Sequence, residues 1–386
     1  MTPLTGKTIM TNRRQFSIAT AAALVANVSS IGRVHAQDSK IVLGQSAAFS
    51  GPAAQLGIQF YQGAKLHFER VNAQGGVLGR SIEIRNLDDG YEPERCVANT
   101  RQLLDGDVFA LFGYIGTPTS VAALPLATKD KVPFIAPFTG AIALRQPFNR
   151  YAFHLRASYH DETALIVKQL THLSRKKIAV FYQNDAYGKT GLDGVTLALA
   201  AQGLQPVATA TVERNSVDVA AAVKTLTAAA PDAIVQIGAY KACAAFIRAA
   251  RKTGFGGNFF NVSFVGTQAL ADELGKEGAG VVVSQVVPSP YNSARPIVRE
   301  FIEAMKSGPK DGSINFSSME GYLAARLFTE GLKRGGKPTR EGLITGLEAM
   351  TNTALGGFQV DLSAKDHVAS SFVELSMITG DGKVLT

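Results

Sequence analysis

The sequence predicts an α/β protein built of two doubly wound lobes. Three observations carry this. Short apolar, β-rich runs alternate with longer Ala/Leu-rich helical patterns, as parallel sheets with crossover helices require. The alternation runs once, then restarts near residue 176. The chain is 386 residues long and 46% hydrophobic, enough for two cores of ordinary domain size.

In order, the first lobe's strands are expected in "KIVLGQSAAF" (40–49), "SIEIRNLDD" (81–89), "VFALFGYI" (108–115) and "PFIAPF" (133–138). Between the first two, "QFYQGAKLHFERVNAQGG" carries Phe60, Ala64, Leu66, His67 and Val71 near helical spacing and stops at Gly75-Gly76. The second lobe opens with "KKIAVFYQND" (176–185) and a helix from a Gly-rich turn, "AYGKTGLDGVTLALAAQG". Further strands fall in "QPVATATV" (205–212), "AIVQIG" (233–238), "NFFNVS" (258–263) and "GVVVSQVV" (280–287). After Pro288 come two amphipathic helices, then "TREGLITGLEAM" with Thr339 as N-cap. The tail "GGFQVDLSAKDHVASSFVELSMIT" reads as two strands joined by a polar turn. No low-complexity linker separates the lobes, which suits a hinge better than independent beads.

The N-terminus reads as an export signal. Arg13 and Arg14 precede an Ala-rich apolar stretch too short to span a bilayer, and Val34-His35-Ala36 forms a small-x-small cleavage site. Arg13-Arg14-Gln15-Phe16 partly matches a twin-arginine signal. Cleavage is expected after Ala36, and the next residue, Gln37, is not the Cys of a lipoprotein. No later apolar run is long enough for a membrane helix. Residues 1–36 hold Lys7, Arg13, Arg14 and Arg33 and no acid, so their removal takes the net charge from +8 to +4. With no basic run interleaved with aromatics, nucleic-acid binding is not expected. Cys96 and Cys243 lie far apart without a CxxC partner, so both are expected free and buried and neither a metal ligand.

Ligands of open α/β sheets sit beyond the carboxyl ends of strands, against helix N-termini. "FALFGYIGTPTSVAAL" (109–124) ends a buried strand in Tyr114, Gly116 and Thr117 where a helix begins. The Thr117 hydroxyl and the free N–H groups there suit an anion, though a plain N-cap uses the same atoms. "PFTGAIAL" offers Thr139, Gly140 and Ala141 at a neighbouring strand end, favouring a shared carboxylate site. In "SYHDET" (158–163), Asp161 is either a helix cap or an acceptor for a ligand ammonium or hydroxyl. Tyr187 and Tyr240 are candidates to cover an apolar ligand. "GKT" (188–190) is not a phosphate loop, because Gln183 stands where the motif needs Gly. There is no G-x-S-x-G elbow and no H-E-x-x-H, so no catalytic residue is assigned.

Taken in order, "FSGPAAQLG", "NAQGGVLGRSIEI", "DDGYEP", "GTPTS", "VPFIAPFTG", "NDAYGKTG" and "SMEGYLAARL" resemble the leucine/isoleucine/valine-binding family of periplasmic solute-binding proteins. The resemblance implies the type I periplasmic-binding fold: two Rossmann-like lobes joined by a three-segment hinge and closing on the ligand. It places lobe one at 38–156 and 288–356, and lobe two at 157–287 and 357–386. It implies no enzyme activity, no cofactor and no metal. It implies a monomer in the periplasm that delivers an apolar amino acid or related carboxylate to the membrane permease subunits of an ABC importer. Thr117, Thr139 and Gly140 match positions that hold the ligand carboxylate, and Asp161 matches one that holds the ammonium. Ser263 stands where relatives often carry a second acid. Tyr187 and Tyr240 match aromatic positions, and Leu56, with Phe49 close by, matches a large side chain near the first helix. Tyr91 and Gly116 occupy the places of a disulfide found in some relatives. A receptor of the same fold that reports ligand to a partner chain is the alternative, and a secreted hydrolase using Ser46, Ser158 or Ser263 is a third reading.

Overall fold

The computed structural model describes residues 1–3, 6, 40–308 and 312–386. The expected apolar export stretch and its cleavage site lie outside the described residues. The first sheet holds β1 (Ile41–Ala47), β2 (Ile82–Asp88), β3 (Ala110–Phe112), β4 (Phe134–Ile135) and β5 (Ala152–Phe153), all parallel, in the order β2-β1-β3-β4-β5. The register sets Leu43 of β1 beside Ile84 on one side and Ala110 on the other. The second sheet repeats that order in β6 (Ile178–Gln183), β7 (Ala208–Val212), β8 (Ala233–Ile237), β9 (Asn258–Asn261) and β10 (Val282–Gln285), running β7-β6-β8-β9-β10. Each expected strand is present, trimmed by one to three residues at either end in most cases. β5 was not expected.

Helices cross between strands where the pattern places them. α1 (Ala54–Ala73) ends as expected at Gly75 and Gly76, whose φ values of +95° and +77° suit glycine. α2 (Pro93–Asp105) and α3 (Thr117–Lys129) complete the first run, and α4 (Tyr159–His172) opens the second. α5 (Ala186–Ala200) is started by Asp185, whose carboxylate accepts from the N–H groups of Tyr187 and Gly188. α6 (Ala220–Ala228), α7 (Tyr240–Lys252) and α8 (Thr267–Leu274) follow. The chain then returns through α9 (Pro296–Ser307), α10 (Phe316–Gly335) and α11 (Arg340–Glu348). Thr339 caps α11 as expected, its hydroxyl accepting from Gly342 N–H at 3.0 Å. α1 and α10 meet backbone to backbone: a Cβ on Gly63 would strike the Ser318 carbonyl, and one on Gly321 the Phe60 carbonyl.

The tail departs from expectation. β11 (Thr353–Leu355) and β12 (Phe358–Val360) form their own antiparallel hairpin, turning at Gly356-Gly357. The expected break between residues 356 and 357 falls inside this hairpin, whereas the chain passes to the second sheet only after β12. β13 (Glu374–Ile378) does not pair with β12; it joins the second sheet antiparallel to β10, followed by β14 (Val384–Leu385). The chain therefore passes between the sheets three times: after β5, after β10 and before β13. No helix among the described residues is long and apolar enough to cross a membrane. Cys96 and Cys243 are free and buried, as expected.

One apolar cluster runs through both sheets and includes rings from the strand tips of each. A second lies on the other face of the first sheet, with Cys96, Leu103, Leu111, Tyr114 and Phe134.

Candidate functional site

The segments leaving the carboxyl ends of both sets of parallel strands face one another. From the first sheet come Tyr91 after β2, the Gly116-Thr117 start of α3, and Phe138-Thr139 after β4. From the second come Tyr187 of α5, Tyr240 at the start of α7, and Ser263-Phe264 after β9. Phe264 is the hub. Its ring lies 4.6 Å from Tyr187, 5.7 Å from Tyr91 and 5.8 Å from Phe138, centroid to centroid. Tyr159 adds a further ring, 5.3 Å from Tyr187.

Beside these rings lies a set of hydroxyls. Thr117 and Thr139 are both fully buried, with their Oγ1 atoms 2.6 Å apart. Ala141 N–H donates to Thr139 Oγ1 at 3.2 Å. Thr117 is the first residue of α3; Pro118 has no N–H and Ser120 N–H donates to Gly116 O, so the opening N–H groups without a partner in the helix are those of Thr117 and Thr119. The Tyr159 hydroxyl is buried with no hydrogen-bond partner of normal geometry. Burial raises its pKa to about 12, against the opposing pull of Arg156 and the nearby Thr139 hydroxyl. Gly140 is required by close approach, because a Cβ there would lie 2.6 Å from Tyr159 N, whose N–H donates to Gly140 O at 2.9 Å.

A chain of charges underlies the hydroxyls. Arg156, on the first crossing, is fully buried. It makes a two-pronged bond to Glu320 of α10, at 2.7 and 2.6 Å, and donates to Ser263 Oγ at 3.0 Å. Its guanidinium carbon sits 4.0 Å from the centroid of the Phe138 ring. Burial works against the Arg156 charge, but Glu320 more than offsets it and holds the pKa above its ordinary value. Glu162 of α4 accepts from Ser263 N–H at 2.7 Å, Ser263 Oγ at 3.0 Å and Ser284 Oγ at 2.6 Å. Burial raises its pKa despite Arg156 and these donors. Arg145, part-buried, donates to the carbonyls of Ala141 (2.8 Å) and Arg156 (3.0 Å) and, more weakly, of Thr139 and Ala157. Burial and the Arg156 charge lower its pKa to about 10.

Polar bonds close the mouth. Gln183 Nε2 donates to the Tyr91 hydroxyl at 3.2 Å. Arg214 pairs with Glu92 at 2.9 Å and Asp185 at 3.4 Å, and Asn215 donates to Gly90 O and Glu92 Oε1.

Of the expected residues, Thr117, Thr139, Gly140, Ala141, Tyr187 and Ser263 come together here. Leu56 reaches across the mouth, its side chain filling the place a Cβ on Gly266 would take. Tyr240 is nearly buried at the start of α7. Phe49 lies half-buried on the edge, packed on Tyr61. Gly116, at φ +95°, admits the Tyr91 ring, so the two positions noted as a lost disulfide are in contact. Two residues are elsewhere. Tyr114 sits in the second apolar cluster, its hydroxyl bonded to Thr100 at 3.0 Å. Asp161 is exposed and serves as a cap: it accepts from Ser158 N–H at 2.9 Å and Ser158 Oγ at 2.7 Å. It lines an open groove of about 480 Å³ with Asp366 and His367, on the outside of the crossing. The sequence reading missed Tyr91, Phe138, Arg156, Glu162, Phe264 and Glu320. The Ser158-x-x-Asp161 spacing of a capping box was the available signal that Asp161 is used locally.

The sequence model of the periplasmic binding protein family matches residues 40–383. The chain is similar to a crystal structure titled as a possible leucine/isoleucine/valine-binding protein from Rhodopirellula baltica. That match has 34% identity and a TM-score of 0.86, over 90% of this chain and 97% of that one. A substrate-binding periplasmic protein from Ralstonia solanacearum matches at 31% identity and TM-score 0.85, over 90% and 99%. Leu/Ile/Val-binding protein homolog 7 of Brucella abortus is 26% identical over 373 residues, covering 90% of each chain.

Proposed function

Because the chain belongs to the periplasmic binding protein family, in its leucine/isoleucine/valine-binding branch, we propose that it captures a small apolar amino acid or related organic carboxylate between its lobes for an ABC importer. The protein is a solute-binding protein and not an enzyme. The lobes are residues 38–156 with 288–356 and residues 157–287 with 357–386, closing about the three crossings. An N-terminal signal of 36 residues takes the chain to the periplasm, where it works as a monomer and hands its ligand to permease subunits. The names of the Brucella and Rhodopirellula relatives support the branched-chain part of this reading.

One observation carries the proposal: two buried threonine hydroxyls, 2.6 Å apart, meet at a helix N-terminus beside an unpartnered tyrosine hydroxyl and a wall of rings. Such donors suit a carboxylate head, and the rings suit an apolar body. Two to four charge-assisted hydrogen bonds contribute about 1.5–3 kcal/mol each. Burying about 100 Å² of ligand hydrocarbon adds about 2.5 kcal/mol. Association costs several kcal/mol, which leaves an affinity on the order of micromolar.

The test is Thr117→Ala combined with Thr139→Ala, read by titration calorimetry against a ligand found by thermal-shift screening. Loss of both hydroxyls is expected to weaken binding on the order of 100-fold or more, with the melting transition of the ligand-free protein intact. An unchanged affinity rejects this placement of the acid head.

A further inference from the structure

Resting on the reading above, we infer that the preferred ligand is an apolar carboxylate with no α-ammonium group, the deaminated counterpart of an apolar amino acid. The argument is an account of acceptors. An ammonium taken out of water needs a carboxylate or several oxygens to replace its hydration. Among the described residues, the carboxylates set around the rings are already engaged. Glu320 is held by both prongs of Arg156. Glu162 takes three donors from Ser263 and Ser284. Asp185 caps α5 and accepts from Gln183 at 2.6 Å. Asp89 accepts from Ser46 Oγ at 2.7 Å and Tyr91 N–H at 2.8 Å. Asp161, the one acid matched to an ammonium position, is exposed and closes its own helix cap.

The groups left open are donors. The Tyr159 hydroxyl, near Thr139, has no partner of normal geometry, and the Thr117–Thr139 pair has one proton in its shared bond and another to give. The N–H groups of Thr117 and Thr119, at the start of α3, add to them. Behind the Thr139-Gly140-Ala141 turn, Arg145 places its charge on the Thr139 and Ala141 carbonyls with no carboxylate bonded to it. At the position where a second acid would meet an ammonium, Ser263 is bridged between Arg156 and Glu162. The site thus offers an anion several donors and offers a cation no free acid.

Matched pairs test this on the unaltered protein, dialysed free of ligand: leucine against 4-methylpentanoate, valine against 3-methylbutanoate, phenylalanine against 3-phenylpropanoate, and tyrosine against 3-(4-hydroxyphenyl)propanoate. Titration calorimetry at pH 7.5 is expected to show the deaminated member of at least one pair binding on the order of 100-fold tighter or more, the scale set by leaving a buried charge unpaired. Equal or tighter binding of the amino acids overturns the inference and leaves the proposed function standing. Silence of every pair, with the protein folded by its melting curve, overturns the proposed function and the inference with it.

Discussion

Asp161 and Glu162 are neighbours in sequence with opposite fates. Successive helical residues point about 100° apart, so where Asp161 turns back to Ser158, Glu162 turns inward to Ser263 and Ser284. Sequence reading chose the former because an acid at a helix start suggests a ligand partner; it had no means of seeing that Glu162 meets hydroxyls 101 and 122 residues away. Arg156 was invisible for the same reason: a lone arginine in "HLRASYH" has a purpose only once Glu320, 164 residues on, is beside it. This pair gives a residue-scale prediction. Glu320→Ala strands the Arg156 guanidinium in a buried site, which is expected to cost about 3–5 kcal/mol. The stacking of Arg156 on Phe138 recovers at most about 2 kcal/mol. Urea denaturation measures it; a loss under about 1 kcal/mol would show that the pair is not what neutralises this charge. Thr117 and Thr139 were legible because each closes a strand with a hydroxyl at a helix or turn start, a pattern local enough to see.

At the scale of elements, the strands and helices were largely readable, since period and glycine stops are local. The exceptions have local reasons too. β5 is only two residues, flanked by Arg150, His154 and Arg156, so no apolar run announces it. The tail carried a signal that was passed over. Leu355 pairs with Phe358, leaving Gly356-Gly357 as a two-residue loop with φ of +59° and +88°. Such a pair is a hairpin turn, and it joins "FQV" backwards to "TAL" rather than forwards to "ELSMI". Tyr114 shows where alternation stops deciding a face: period two would set it with Phe112, but the strand ends at Phe112 and Gly113, at φ +62°, turns the chain. With Leu111 it belongs to the cluster behind the sheet, while Phe112 and Ile115 belong to the one in front. The rings that meet at the strand tips lie mainly outside strands, on connections, where period gives no direction. That is why Tyr91, Phe138 and Phe264 were not legible and Tyr187, at a helix start, was.

For the whole molecule, two sheets whose five parallel strands follow the same order present their tips to one another, and the three crossings tie them together. Buried histidines make its stability sensitive to pH. His67, enclosed by burial and near Arg326, is lowered to about 3; burial also lowers His154 and His367. Below about pH 6.5 the unfolded chain binds protons on these rings that the folded chain refuses, so their contribution is complete above that pH and lost as the solution is acidified. Asp89, raised by burial to about 6, and Glu162 and Glu374, raised by burial, act in the opposite sense, taking up protons in the folded state. The histidine part is isolated at His67, which adds a slope of about 1.4 kcal/mol per pH unit below about pH 6.5. His67→Gln is therefore expected to lose less stability to urea between pH 7.5 and pH 5 than the unaltered protein; an equal or steeper loss contradicts this sense. The claim that the strand tips grip an acid head is met most directly by a crystal structure of the complex with the tightest ligand of the matched pairs. The acid oxygens are predicted within hydrogen-bonding distance of Thr117 Oγ1 and Thr139 Oγ1, with the hydrocarbon against Phe264. A ligand seated instead in the outer groove beside Asp161 and Asp366, or bound with its acid turned away from both threonines, would contradict it.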